Sequence, residues 1–235
     1  VNPTSRSICP EGPAASFTAS GGTTYNWMPG ALTGATVNVL PTANTTYTVT
    51  GTNALGCTNS ATAMVTLFAP PVVTASAAPS SACSGATVNL TANGANTYVW
   101  NPGALNGTPV AVTPAVTTTY TVVGTNANGC TASATTTVTI LPSNPVVITQ
   151  APSIARCLMD APSQLNATGA ANYVWQPGAL TGGAVFVSPA ATTTYTVTGT
   201  AANGCSSSAQ VLVTINNNPN VTIAPAAPTR CAADA

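Results

Sequence analysis

Seven cysteines are the side chains of this 235-residue sequence best suited to chemistry, and their spacing says which chemistry. Cys9, Cys83, Cys157 and Cys231 recur at intervals of 74 residues, with Cys57, Cys130 and Cys205 set between them, so each repeat holds two. The chain has no histidine and no Cys-x-x-Cys pair. Thiols in that pattern suit a disulfide framework made in an oxidising compartment and not a metal site. An extracellular, cell-surface protein is therefore expected.

Other reactive groups are scarce. Three Arg and three acidic residues are the whole charged complement, and lysine is absent. With no histidine and with Glu11, Asp160 and Asp234 far apart in sequence, neither a Ser-His-Asp triad nor a carboxylate pair can be assembled in one module. No enzyme activity and no cofactor are expected. Calcium sites need several carboxylates per ion, and a Lys-Asn isopeptide staple needs lysine. Three scattered arginines cannot neutralise a run of phosphates, which argues against nucleic acid as a partner. No apolar run approaches the roughly 18 residues of a spanning helix, so no membrane span is predicted. All six charges lie close to a first-position cysteine. Arg6 and Glu11 flank Cys9, Arg156 and Asp160 flank Cys157, and Arg230 and Asp234 flank Cys231. These are predicted to form ion pairs that fix the angle at module junctions.

The elements that hold the cysteines repeat with them. Tyr98-Val99-Trp100-Asn101-Pro102-Gly103-Ala104-Leu105 returns as Tyr25 to Leu32 and Tyr173 to Leu180. This spacing predicts modules over 1–68, 69–142 and 143–216, the first with an incomplete opening strand, and the start of a fourth over 217–235 in a longer array. Thr- and Val-rich stretches broken by Pro and Gly roughly every eight to twelve residues predict an all-β chain of short antiparallel strands. In the middle repeat these fall at 72–76, 87–92, 98–100, 110–113, 118–125 and 135–141, with a short seventh near Ala104-Leu105. Such a set predicts a small β-sandwich. Strand alternation points Tyr25, Trp27, Tyr47, Tyr98, Trp100, Tyr120, Tyr173, Trp175 and Tyr195 inward as core anchors.

Taken in order, Cys, a Val-x-Leu strand, Tyr-x-Trp-x-Pro-Gly, Val-x-Val-x-Pro, Thr-Thr-Tyr-Thr-Val and Asn-Gly-Cys resemble the Ig-like or PKD-like repeats of large secreted surface proteins and gliding-type adhesins of Bacteroidota. The resemblance covers all three repeats. It implies tandem immunoglobulin-like sandwiches, export to the cell surface and a stalk or adhesive role. Asn128 and Asn203 stand where such repeats often carry Asp.

The simplest disulfide pairing is within repeats: Cys9 with Cys57, Cys83 with Cys130, Cys157 with Cys205, and Cys231 with a partner beyond residue 235. A standard Ig topology, however, puts the two cysteines of a module at opposite ends. The alternative joins neighbouring modules, Cys9 with Cys130 and Cys83 with Cys205. Sequons at Asn44, Asn89, Asn106, Asn166 and Asn220, with the Ser/Thr density, raise glycan modification. The expected role is a rigid extracellular stalk, adhesin shaft or filament, with neighbouring repeats as its partners and self-assembly through Thr-rich edges as a variant. The competing role is an array of carbohydrate- or protein-binding modules, using loops near Gly103 to Gly107.

Overall fold

A computed structural model describes residues 1–150 and 153–224, and among these there is no helix. The first module contains β1 (Ser5–Ile8), β2 (Ala15–Thr18), β3 (Thr24–Met28), β4 (Leu32–Thr33), β5 (Thr36–Val39), β6 (Thr45–Thr52) and β7 (Thr58–Leu67). The second contains β8 (Thr74–Ala78), β9 (Ser81–Cys83), β10 (Val88–Asn93), β11 (Thr97–Asn101), β12 (Leu105–Asn106), β13 (Val110–Val112), β14 (Thr118–Thr125) and β15 (Thr131–Leu141). The third contains β16 (Val147–Ile148), β17 (Ser153–Cys157), β18 (Ser163–Thr168), β19 (Asn172–Gln176), β20 (Leu180–Thr181), β21 (Ala184–Val187), β22 (Thr193–Thr200) and β23 (Ser206–Asn216). Residues 1–140 form one compact unit and residues from 141 onward another.

The second module shows the plan. One sheet has the order β13-β10-β8 and the other β12-β11-β14-β15-β9. The opening strand is thus split. Its first half, β8, pairs antiparallel with β10, and after Pro79 its second half crosses to lie beside β15. The third module repeats the arrangement as β16-β18-β21 and β17-β23-β22-β19-β20, with β17 parallel to β23. The modules are immunoglobulin-like β-sandwiches. The crossing half-strand was not among the predicted strands, because Ser81-Ala82-Cys83 is too short and too polar to show a period of two.

Each sandwich closes on its own tryptophan. Trp27, Trp100 and Trp175 are fully buried in three separate cores, and Tyr47, Tyr98, Tyr120 and Tyr195 are buried beside them. Tyr25 and Tyr173 pack at the core margins. The octet that recurs in the sequence is explained by what its polar atoms do. The indole Nε1 of Trp100 donates to Gly107 O at 3.1 Å, and Trp27 and Trp175 make the same bond to Gly34 and Gly182. Tyr98 OH accepts from Ala95 N and donates to Ala95 O, a pair of hydrogen bonds repeated by Tyr25 with Gly22 and Tyr173 with Ala170. A buried aromatic of this kind keeps its apolar body in the core and leaves no polar tip unmatched.

Because each core is small, Trp100→Ala should cost about 3–5 kcal/mol in chemical denaturation, with the loss confined to the second module. Burial raises the Tyr47 and Tyr195 hydroxyl pKa above the ordinary value of 10.0, which the Arg156 charge partly opposes at Tyr195. The neutral phenol is favoured in the folded state, so this stability is complete below pH ~10 and is lost as the pH climbs towards the folded values. Thermal melts over the alkaline range should show that loss, and Tyr47→Phe should flatten it.

Candidate functional site: the disulfide-tied module junction

The junction is built by the strands that end at the cysteines. β1 lies parallel to β7, with Ser5 opposite Met64 and Ile8 opposite Leu67. Cys9 therefore emerges beyond the end of β7, whereas Cys57 stands just before its first residue, Thr58. Ten residues at about 3.3 Å each put some 30 Å between the two ends. A disulfide spans a Cα separation of roughly 4.4–6.8 Å, so Cys9 cannot reach Cys57. It bonds instead to Cys130 of the second module, with Cα atoms 5.3 Å apart and 121 residues between them in sequence. The same geometry recurs in the third module, where Cys157 is opposite Asn216 at the far end of β23 and Cys205 immediately precedes that strand.

The pairing within repeats is thereby overturned. Cys130 is taken by Cys9, which removes Cys83 with Cys130, and Cys157 is a free, exposed thiol, which removes Cys157 with Cys205. Cys57 is also free and exposed. Cys83 and Cys205 are both in disulfide linkage. Cys231 lies outside the described residues. The signal for the observed pairing was present in the sequence. The run from Thr58 to Leu67 is long enough to separate its flanking cysteines, once the first cysteine is known to end a strand parallel to it.

Backbone and polar contacts complete the junction. Asn126 Oδ1 accepts from Asn128 N and Cys130 N at 3.0 Å each, shaping the turn that presents Cys130. Its Nδ2 donates to Ala69 O at 3.0 Å and so holds the linker between the modules against the same turn. Cys9 Sγ lies 3.8 Å from Asn128 O. A small cleft of about 60 Å³ remains beside the bond, lined by Pro10, Glu11, Pro70 and Gly129 among others. In the third module, Ser207 Oγ donates to Asn144 O and accepts from Val146 N, tying the incoming linker down in a similar way.

The charged residues do something other than predicted. Among the described residues no ion pair joins an Arg to a carboxylate. Arg156 is only 6% exposed, and its guanidinium donates to the carbonyls of Val187 and Asp160 at 3.0 and 2.6 Å. The Asp160 carboxylate turns to Cys157 N at 2.6 Å. Arg156 is thus a hydrogen-bonded plug for open carbonyls of its own module, and stands where Ile8 and Ala82 pack in the other two. Arg6 and Glu11 are exposed and make no such pair, while Arg230 and Asp234 lie outside the described residues. In the loops near Gly103, Leu105 packs against the core and Gly107 O accepts from the Trp100 indole.

No protein-family model matches the sequence, and no curated protein sequence matches it. Solved structures align with it at low overall similarity. A Bacteroides ovatus protein, mixed-linkage glucan utilization locus SGBP-B in complex with a mixed-linkage heptasaccharide, is 14% identical, with 90% of this chain and 65% of that one covered and a TM-score of 0.24. The eight N-terminal Ig domains of the Down Syndrome Cell Adhesion Molecule are 14% identical over 92% of this chain and 35% of that one, with a TM-score of 0.36. A Ca2+-stabilized adhesin of an Antarctic bacterium that binds ice is 15% identical over 87% and 69%, with a TM-score of 0.31.

Peptide mapping under non-reducing conditions should recover Cys9 linked to Cys130. Closing a loop of 121 residues constrains the unfolded chain by about 5 kcal/mol in the chain-entropy model, so Cys9→Ser should lower the stability of the first two modules by up to that amount.

Proposed function

We propose that this chain is a structural array at the cell exterior, a stalk, adhesin shaft or filament segment of the kind its resemblance to Bacteroidota surface repeats implies, and that it is not an enzyme. The observation that carries the reading is the Cys9–Cys130 bond. A disulfide inside a module would only stabilise that module. One that joins the far end of one module to a turn of the next fixes two modules to each other, which serves a rod and does nothing for an isolated binding domain.

Other observations fit the same reading. Stable disulfides require an oxidising compartment, which supports an exported protein. Only 3% of residues are charged, so the surface is solvated by Thr, Ser and Asn. Glycans on those hydroxyls or on the Asn sequons would add to that solvation.

The bond also changes how load would travel. Pulled from its ends, the chain carries tension from Cys9 directly to Cys130, and the 120 residues between them are relieved of it. Single-molecule stretching of the whole chain should therefore show reduction adding at least about 400 Å of extension, at roughly 3.3–3.6 Å per released residue. Equal extension with and without reductant would refute a load-bearing role for the bond.

A further inference from the structure

Among the described residues a single aromatic side chain is open to solvent. Phe186 is 66% exposed, whereas every other Phe, Tyr and Trp is buried or partly so. It stands on β21, the outer strand of the small sheet β16-β18-β21. Val185 and Val187 on either side of it are buried, so Phe186 is on the face turned away from the core. Directly across on β18 lies Gln164, exposed on the same face. The next row of that face holds Ala184, Asn166 and Thr149, whose N–H donates to Asn166 O. The patch thus combines amides, a hydroxyl and one benzyl ring, with no charge. Opposed residues have Cβ atoms about 5 Å apart, which puts the Gln164 amide beside whatever covers the ring.

The same register is filled differently elsewhere. Ser16 is opposite Asn38 in the first module, and Asn89 is opposite Ala111 in the second. The fold is therefore served at this position by a small or polar residue, and the ring is an addition peculiar to the third module. Asn38 is exposed although the second module is tied to the first, so a following module leaves the position open. The end of β21 is also pinned. Arg156 Nη1 donates to Val187 O at 3.0 Å, next to Phe186, where the other modules have the apolar Ile8 and Ala82. A ring on a fixed strand loses little freedom when something stacks on it.

We propose that this face binds a neutral saccharide. A pyranose unit with equatorial hydroxyls lays its C–H face on the Phe186 ring, and the Gln164 and Asn166 amides hydrogen-bond the hydroxyls at its rim. The chemistry of the patch selects that ligand class. No basic side chain lies on the face, so phosphate or sulfate groups find no counter-charge, which disfavours nucleic acids and acidic polysaccharides. An equatorially substituted pyranose is apolar on its faces and polar around its edge. The electron-rich ring attracts its C–H groups, and each amide offers both a donor pair and an acceptor to its hydroxyls. The array thereby gains one adhesive module among structural ones, whether or not the Cys9–Cys130 bond bears load.

The test is titration of the whole chain with cellohexaose and, separately, with chitohexaose, read by calorimetry and by amide NMR spectra. Saturable binding of at least one is expected, with the largest shift changes on β18 and β21. Phe186→Ala and Gln164→Ser install the residues that the second and first modules carry as Ala111 and Ser16, so the melting temperature should not change. The first should weaken binding about tenfold or more and the second severalfold. Phe186→Trp, which keeps an aromatic face, should bind at least as tightly as the parent. No binding of either sugar at millimolar concentration, shift changes confined to another module, stronger binding of heparin than of both neutral sugars, a Phe186→Ala variant with unchanged affinity, or a Trp variant no better than the Ala variant would each overturn the proposal. The stretching measurement on single chains tests the structural role independently of these results.

Discussion

The length of the closing strand governs the covalent design. A strand of ten or eleven residues separates the cysteine before it from the one beside its far end by several times the reach of a disulfide. Pairing inside a module is then geometrically closed, and the only short path leads to the next module. From that single constraint follow the Cys9–Cys130 junction, the need for a turn shaped by Asn126, and the exposure of Cys57 and Cys157. The crossing half-strand is what enforces it, since β1 and β17 carry the first cysteine along β7 and β23 to the end furthest from the second.

A second constraint is size. Modules near 74 residues bury little surface, and one tryptophan is a large share of it. The Pro-Gly-Ala-Leu turn after each tryptophan leads to a glycine two residues beyond the repeated octet, and the carbonyl of that glycine accepts from the indole, so the octet supplies the core's largest side chain and the turn that delivers the partner for its only polar atom. Faithful repetition of these residues is a packing requirement. The plug position varies more, with Ile8 and Ala82 packing against their cores and Arg156 meeting backbone carbonyls in the third module.

Much of this was legible beforehand. The strand Thr118 to Thr125 was readable to the residue, because Tyr120, Val122 and the flanking threonines alternate cleanly. The tryptophans and most of the tyrosines announced the core by the same alternation. Disulfide partners were not legible to the same degree, because cysteine spacing records chain distance, and the deciding quantity was the through-space length of β7 beside a half-strand too short to be seen. The arginines misled for a related reason. Arg156 and Asp160 are four residues apart, on either side of Cys157, and Arg156 looks like a partner for the carboxylate, yet burial makes backbone carbonyls the stronger claim on its guanidinium.

The near absence of basic side chains has a consequence for survival outside the cell. Trypsin-type proteases cut after Lys or Arg, and this chain offers them three arginines and no lysine. The side chain of Arg156 is buried and occupied by two carbonyls, so it cannot enter a protease pocket while the third module stays folded. Cleavage after Arg6 would fall before Cys9 and leave the Cys9–Cys130 junction whole. A surface solvated by hydroxyls and amides is thus also one that gives such enzymes very little to hold.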